Sequence, residues 1–81
     1  MRLIKFYTDT CGPCKVMKPI VDRFVEEHPE IEYEEINCSN GVPEGWDIRN
    51  VPTLLFDNGN EIKRIVGITT YENLENTFKQ D

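Results

Sequence analysis

Residues able to bind metal or cross-link the chain are scarce: among 81 there are three cysteines and one histidine. That odd, small thiol count excludes a disulfide-stapled secreted scaffold. A structural zinc site wants four ligands, and beyond a single Cys-x-x-Cys pair only Cys38 and His28 remain, at no second-pair spacing. No apolar run approaches the roughly 20 residues that span a bilayer. The start, Arg2-Leu3-Ile4-Lys5-Phe6-Tyr7, lacks the charged-then-apolar export pattern, so a cytoplasmic location is expected. Basic residues are also in deficit, nine against fifteen acidic, and the net charge of −6 repels phosphate backbones and anionic membrane surfaces. Neither nucleic acid nor a membrane is an expected partner. Repeats, low-complexity tracts and linkers are absent, and a chain this short supports one core, so residues 1–81 read as a single domain and a monomer.

What is present reads as one α/β unit after another. Residues 2–7 are a strand that stops at the turn Thr8-Asp9-Thr10. Val16, Met17, Ile20, Val21, Phe24 and Val25 then recur at helical spacing, with Thr10 or Asp9 as N-cap, His28-Pro29 as the stop and a kink expected at Pro19. Residues 31–36 alternate as a partly exposed strand, with Ile31, Tyr33 and Glu35 on one face. The crossover from Asn40 to Asn50 is rich in turn residues, with room for a turn or two of helix at Glu44–Ile48. Strands at 53–57 and 62–66 flank Asn58-Gly59, whose residues accept positive φ at both positions of a tight hairpin turn. Thr69 with Glu72 suggests a capping box for a final helix whose stripe is Tyr71, Leu74 and Phe78. The order β-α-β, crossover, β-β-α predicts one mixed four-stranded sheet with the helices packed on it.

The pair Cys11-Gly12-Pro13-Cys14 falls at the first turn of the first helix. There the unpaired N–H groups and the helix dipole favour a thiolate at the first sulfur, and a second thiol one turn on can resolve a mixed disulfide. Cys11 is thus the candidate nucleophile and Cys14 the candidate resolving thiol, cycling without a bound cofactor. A zinc knuckle and a pair of inert buried thiols are the competing readings; the first lacks ligands, and the second sits poorly beside an exposed Thr-Asp-Thr turn.

Thr10-Cys11-Gly12-Pro13-Cys14-Lys15 after a strand, Pro19 in the helix, Ile48-Arg49-Asn50-Val51-Pro52-Thr53 before the hairpin, Asn58-Gly59 and Val66-Gly67 together resemble the thioredoxin family over nearly the whole chain. Without that family's extra N-terminal strand and helix, the chain is similar to a short, glutaredoxin-sized member. The resemblance implies a thioredoxin-like fold and a protein disulfide oxidoreductase that acts on disulfide-containing targets and is restored by a thioredoxin-reductase-type donor. It also implies a cis peptide bond at Pro52, pairing of the Val51 backbone with an extended target segment, and close target approach at Gly67, beside Gly12 and Pro13.

Several residues depart from the family's pattern. Thr10 stands where a Trp usually precedes the first cysteine, and the lone Trp46 either rims the same groove or covers the sheet. Lys5 occupies the place of the family's buried acid and Glu35 that of its lysine partner, so the two charges are exchanged. They meet if the first two strands are parallel neighbours. Lys5 then takes part in proton transfer at Cys14, as a charge favouring its thiolate or as the acceptor; otherwise it is a snorkelling lysine beside a solvated glutamate. Cys38 reads as a small buried hydrophobe or a regulatory thiol, and His28 as a surface residue favoured by the helix dipole. A glutathione-dependent, glutaredoxin-like enzyme and a non-catalytic binding subunit are the alternatives. Ile68-Thr69-Thr70 after Gly67 differs from the Gly-Gly-x-Asp type of segment that holds the glutathione carboxylate, and Cys-Gly-Pro-Cys from the usual Cys-Pro-Tyr-Cys.

Overall fold

Four consecutive residues of the first strand, Leu3, Ile4, Lys5 and Phe6, are buried. Since neighbouring side chains in a strand point to opposite faces, both faces of the sheet must be covered there. The computed structural model, which describes residues 1–79, shows how. The chain runs β1 (Arg2–Tyr7), α1 (Gly12–Glu27), β2 (Glu32–Asn37), β3 (Thr53–Asp57), β4 (Ile62–Val66) and α2 (Tyr71–Lys79). The sheet order is β2-β1-β3-β4, with β1 parallel to β2 and both other pairings antiparallel. This is the expected mixed four-stranded sheet.

One face of the sheet presents Leu3, Leu54 and Phe56 to Met17, Val21 and Phe24 of α1 and Leu74 of α2. Phe24 is the hub: its ring meets Phe56, Tyr71 and Phe78 nearly edge-on, each at 5.9 Å between centroids. Truncating such a buried aromatic typically costs about 3–5 kcal/mol. On the opposite face Ile4, Phe6 and Leu55 are covered by loop residues, with Cys38, Ile48, Trp46 and Val51 packed over them. The crossover between β2 and β3 therefore does the work of a helix layer without forming one: no helical turn occurs at 44–48, where Pro43 and a positive-φ Gly45 interrupt the backbone. Trp46 lies against Phe6, its ring 5.6 Å away, and so covers the sheet.

Local chemistry differs from expectation at several ends. The final helix is capped by Thr70, not Thr69: the Thr70 Oγ1 accepts from the Asn73 backbone N–H at 3.1 Å, while Thr69 Oγ1 accepts from the Asn73 side chain at 2.7 Å. Starting the helix one residue later moves Glu72 out of the reciprocal position. Asn58-Gly59 belongs to a four-residue loop rather than a two-residue turn, because only Gly59 has positive φ. The Asn58 side chain instead accepts from the N–H groups of Asn60 and Glu61, at 2.9 and 2.8 Å. Helix α1 runs through Pro19 without a break.

His28 is half-buried rather than freely exposed. It is wedged between the rings of Phe24 and Phe78, at 4.5 and 4.9 Å, and its Nε2 lies 2.5 Å from the Glu75 carboxylate of α2. That hydrogen bond, more than the Lys79 and Tyr71 contacts, holds the Glu75 carboxyl below its ordinary 4.5. A depressed carboxyl contributes stability that is present above the unfolded value and lost as pH falls through the folded one. Glu75→Gln should accordingly lower the urea midpoint at neutral pH and flatten the loss of stability below pH 4.5; identical acid limbs for variant and parent would contradict this coupling.

Candidate active site

Helix α1 begins with a sulfur in the place of a capping oxygen. Cys11 has extended backbone angles, φ −81° and ψ 108°, and its Sγ accepts from the Cys14 backbone N–H at 3.1 Å. Neither Thr10 nor Asp9 caps the helix. The Thr8 carbonyl accepts from the Cys11 N–H at 3.4 Å, which closes the turn one residue later than the polar side chains suggest. Pro13 fits the first helical turn because its missing N–H would be unpaired there in any case. Cys11 and Cys14 are joined as a disulfide with their Cα atoms 5.2 Å apart. Gly12 and Pro13 are exposed between them, and of the two sulfur-bearing residues Cys14 is the more buried, at 5% exposure against 9%.

Sheet register gathers the remaining residues at the same edge. Phe6 pairs with Thr53 and Thr53 with Val66. Pro52 thus stands beside the end of β1, where the chain turns into α1, and Gly67 beside Pro52. The Val51–Pro52 peptide is cis. The Gly67 N–H donates to the Pro52 carbonyl at 2.8 Å, and Thr53 Oγ1 donates to the Asn50 carbonyl at 2.6 Å. A shallow cavity of about 180 Å³ runs from Thr8 past Cys38 to Asn50 and Val51. Cys38 itself is buried against Ile4, Phe6 and Ile48, and burial pushes its thiol up, away from reactivity.

Beneath the helix start, Lys5 and Glu35 face one another in the parallel register, with Nζ 2.9 Å from Oε2. Lys5 is buried and does not snorkel, whereas Glu35 remains partly exposed. The Lys5 hydrogen bond, seconded by one from the Tyr33 hydroxyl at 2.8 Å, lowers the Glu35 carboxyl from its usual range. Lys5, Glu35 and Cys14 line one cavity of about 290 Å³.

Two positioning residues were not among the sequence candidates. Asn37, at the end of β2, donates its amide to the Asp9 carboxylate at 2.9 Å, and Ser39 Oγ accepts from the Asp9 N–H at 2.9 Å. Asn37 Oδ1 also accepts from the Ser39 N–H at 2.9 Å. Together they clasp the loop that leads into Cys11. The visible signal was a run of short polar residues, Asn37 to Asn40, which bond backbone locally where a strand ends.

Comparison with known proteins agrees with this geometry. The family model described as Thioredoxin matches residues 1–80. The chain is 38% identical over 81 residues to a thioredoxin of Chlamydia pneumoniae, covering 96% of this chain and 79% of that one. It is 32% identical over 68 residues to thioredoxin-1 of Saccharomyces cerevisiae, covering 80% of this chain and 66% of the relative. A chain from a solved structure on thiol resolution in yeast mitochondrial 1-Cys peroxiredoxin via glutathione/thioredoxin systems superposes with a TM-score of 0.85 at 20% identity. That match covers 99% of this chain and 77% of the other, and it shows the shared fold.

Gly67 has φ +85°, and a Cβ built there would meet nothing within 4 Å. Replacement therefore strains only the backbone. Gly67→Ala should lower stability by about 1–2 kcal/mol through the left-handed conformation; a urea midpoint unchanged from the parent would show that the segment relaxes freely.

Proposed function

This chain belongs to the thioredoxin family of thiol-disulfide oxidoreductases, and from that premise we propose that it reduces disulfide bonds in other proteins, with Cys11 attacking and Cys14 resolving. The observation that carries the reading is the Cys11 sulfur at the N-terminus of α1, joined to Cys14 one turn on. In the reduced protein the thiolate of Cys11 attacks one sulfur of the target disulfide. A mixed disulfide forms and the other target sulfur leaves. Cys14 then attacks the Cys11 sulfur, the target departs as a dithiol, and the Cys11–Cys14 disulfide remains. Two electrons have passed from two thiols, so no bound cofactor is needed.

The target lies along the edge that holds Gly12, Pro13, Val51, Pro52 and Gly67. Val51 offers its backbone to an extended segment, which gives affinity with little demand on sequence. Gly67 leaves open space where a side chain would stand, so a target backbone can come close. A thioredoxin-reductase-type donor restores the dithiol, and a reducing compartment such as the cytoplasm keeps the protein working as a reductant. No helix among the described residues is long and apolar enough to cross a membrane. Glutathione is the less suitable donor: after Gly67, Thr69 donates its N–H to Met17 Sδ at 3.3 Å and Thr70 caps α2, so this segment is already engaged within the fold.

Insulin reduction driven by NADPH and thioredoxin reductase tests the reading. The parent should turn over, Cys11→Ser should fall to background, and Cys14→Ser should accumulate targets bound to Cys11. Turnover with glutathione and its reductase alone, or no mixed disulfide on Cys14→Ser, would overturn it.

A further inference from the structure

Lys5 is the one buried charged side chain among the described residues, 4% exposed. Burying an ammonium is unfavourable unless it is paired, and Glu35 supplies the pair at 2.9 Å. Yet Glu35 is 39% exposed at its side chain, so the anion is softened by water while the cation is not. The result is an asymmetric pair with its positive end inside, lining the cavity that Cys14 also lines.

Other charges face the same space. Asp9 enters from the loop before α1, Lys15 and Lys18 from α1 itself, and Tyr7 from β1, with its ring 5.4 Å from the Lys5 Nζ. Lys18 is exposed and paired with Asp22 at 3.0 Å, so water screens it, and the Asp9 carboxylate, which keeps its charge, accepts from the Asn37 amide on the exposed loop. Lys15 stands exposed, where water screens it. Lys5 is therefore, of the cations lining the cavity with Cys14, the one least screened by water.

We infer that Lys5, held in place by Glu35, is a positioning residue for the second half of the exchange: its buried positive charge stabilises the Cys14 thiolate that attacks Cys11. The proton leaves Cys14 to water in the cavity. The Cys14 sulfur bonds to the Cys11 sulfur, the bond from Cys11 to the target breaks, and the target sulfur departs with the electron pair. This rests on the exchange chemistry proposed above and assigns the control of its resolving step.

The magnitude follows from thiol chemistry. An opposite charge nearby shifts a group by about one unit or more. If loss of the charge raises Cys14 by about one unit, its thiolate fraction at neutral pH falls about tenfold, while its intrinsic nucleophilicity rises about threefold. Resolution then slows about threefold at neutral pH and becomes faster by a similar factor well above the pKa, where both forms are fully ionised. A structural role gives no such crossing.

The test is stopped-flow reaction of the reduced protein with a symmetrical aromatic disulfide whose released thiolate absorbs visible light. The first phase reports attack by Cys11 and the second reports resolution by Cys14, each followed across pH. Lys5→Met should leave the first phase in place and give the crossing in the second, with its midpoint about one unit higher. Lys5→Arg should restore the parent profile. Glu35→Gln, which removes the carboxylate that pairs the buried ammonium, should move the second-phase midpoint away from the parent's and leave the first phase in place. Should Lys5→Met fail to fold, Lys5→Arg and Glu35→Gln still carry the test. A Lys5→Met profile parallel to the parent at every pH overturns the inference and leaves the proposed function intact. So does a Glu35→Gln variant slowed at every pH with an unmoved midpoint, since Glu35 would then be the proton acceptor. Absence of the first phase in the parent would defeat the proposed function itself.

Discussion

The hydrogen bond from the Cys14 N–H to the Cys11 sulfur puts a polarisable atom where a hydroxyl or carboxylate oxygen usually caps a helix. Sulfur is a weak acceptor, and as an uncharged thiol it satisfies the helix end poorly. As a thiolate it does better, because negative charge at that end interacts favourably with the dipole and with the free N–H groups of the first turn. Helix geometry and cysteine ionisation are in this way coupled. The same geometry places Cys14 one turn away on the inner side, with Gly12 and Pro13 outside.

The rest of the fold fixes the start of α1, which carries that sulfur. Central strand β1, buried on both faces, anchors the loop to Cys11; the side chains of Asn37 and Ser39 clasp Asp9 within it. Antiparallel pairing of β3 with β1, and of β4 with β3, brings Pro52 and Gly67 alongside. Phe24 ties α1 to both the sheet and α2, so the helix bearing the cysteines is fixed by its far end as well as its near one. The one buried charged side chain among the described residues, Lys5, lines the same cavity as the inner cysteine and is paired there with Glu35.

Much of this was legible in the residues because it follows from periodicity. All six elements and the four-stranded sheet lie where alternation and helical spacing put them, with β2 running Glu32–Asn37 instead of 31–36. The meeting of Lys5 and Glu35 also follows from register alone, once β1 and β2 are parallel. What the pattern did not reveal depends on side chains competing for backbone. Thr69 and Thr70 are equally good caps in isolation; in the fold it is Thr70 whose hydroxyl takes the Asn73 N–H and whose carbonyl takes the Leu74 N–H, at 3.1 and 3.2 Å. Asn58-Gly59 reads as a tight turn until Asn58 is seen spending its carbonyl oxygen on Asn60 and Glu61. His28 looked solvent-facing because its partner, Glu75, is distant in the chain and adjacent only after α2 docks. Trp46 had two equally sensible places until the crossover was seen to remain non-helical and to need a large side chain over Phe6.

The central claim is that the N-terminus of α1 ionises the Cys11 sulfur. It is tested most directly by the pH dependence of Cys11 alkylation in the reduced protein, with the modified residue identified by mass spectrometry. The account predicts a midpoint clearly below the roughly 8.5 of a free cysteine thiol. A midpoint at or above that value would contradict it.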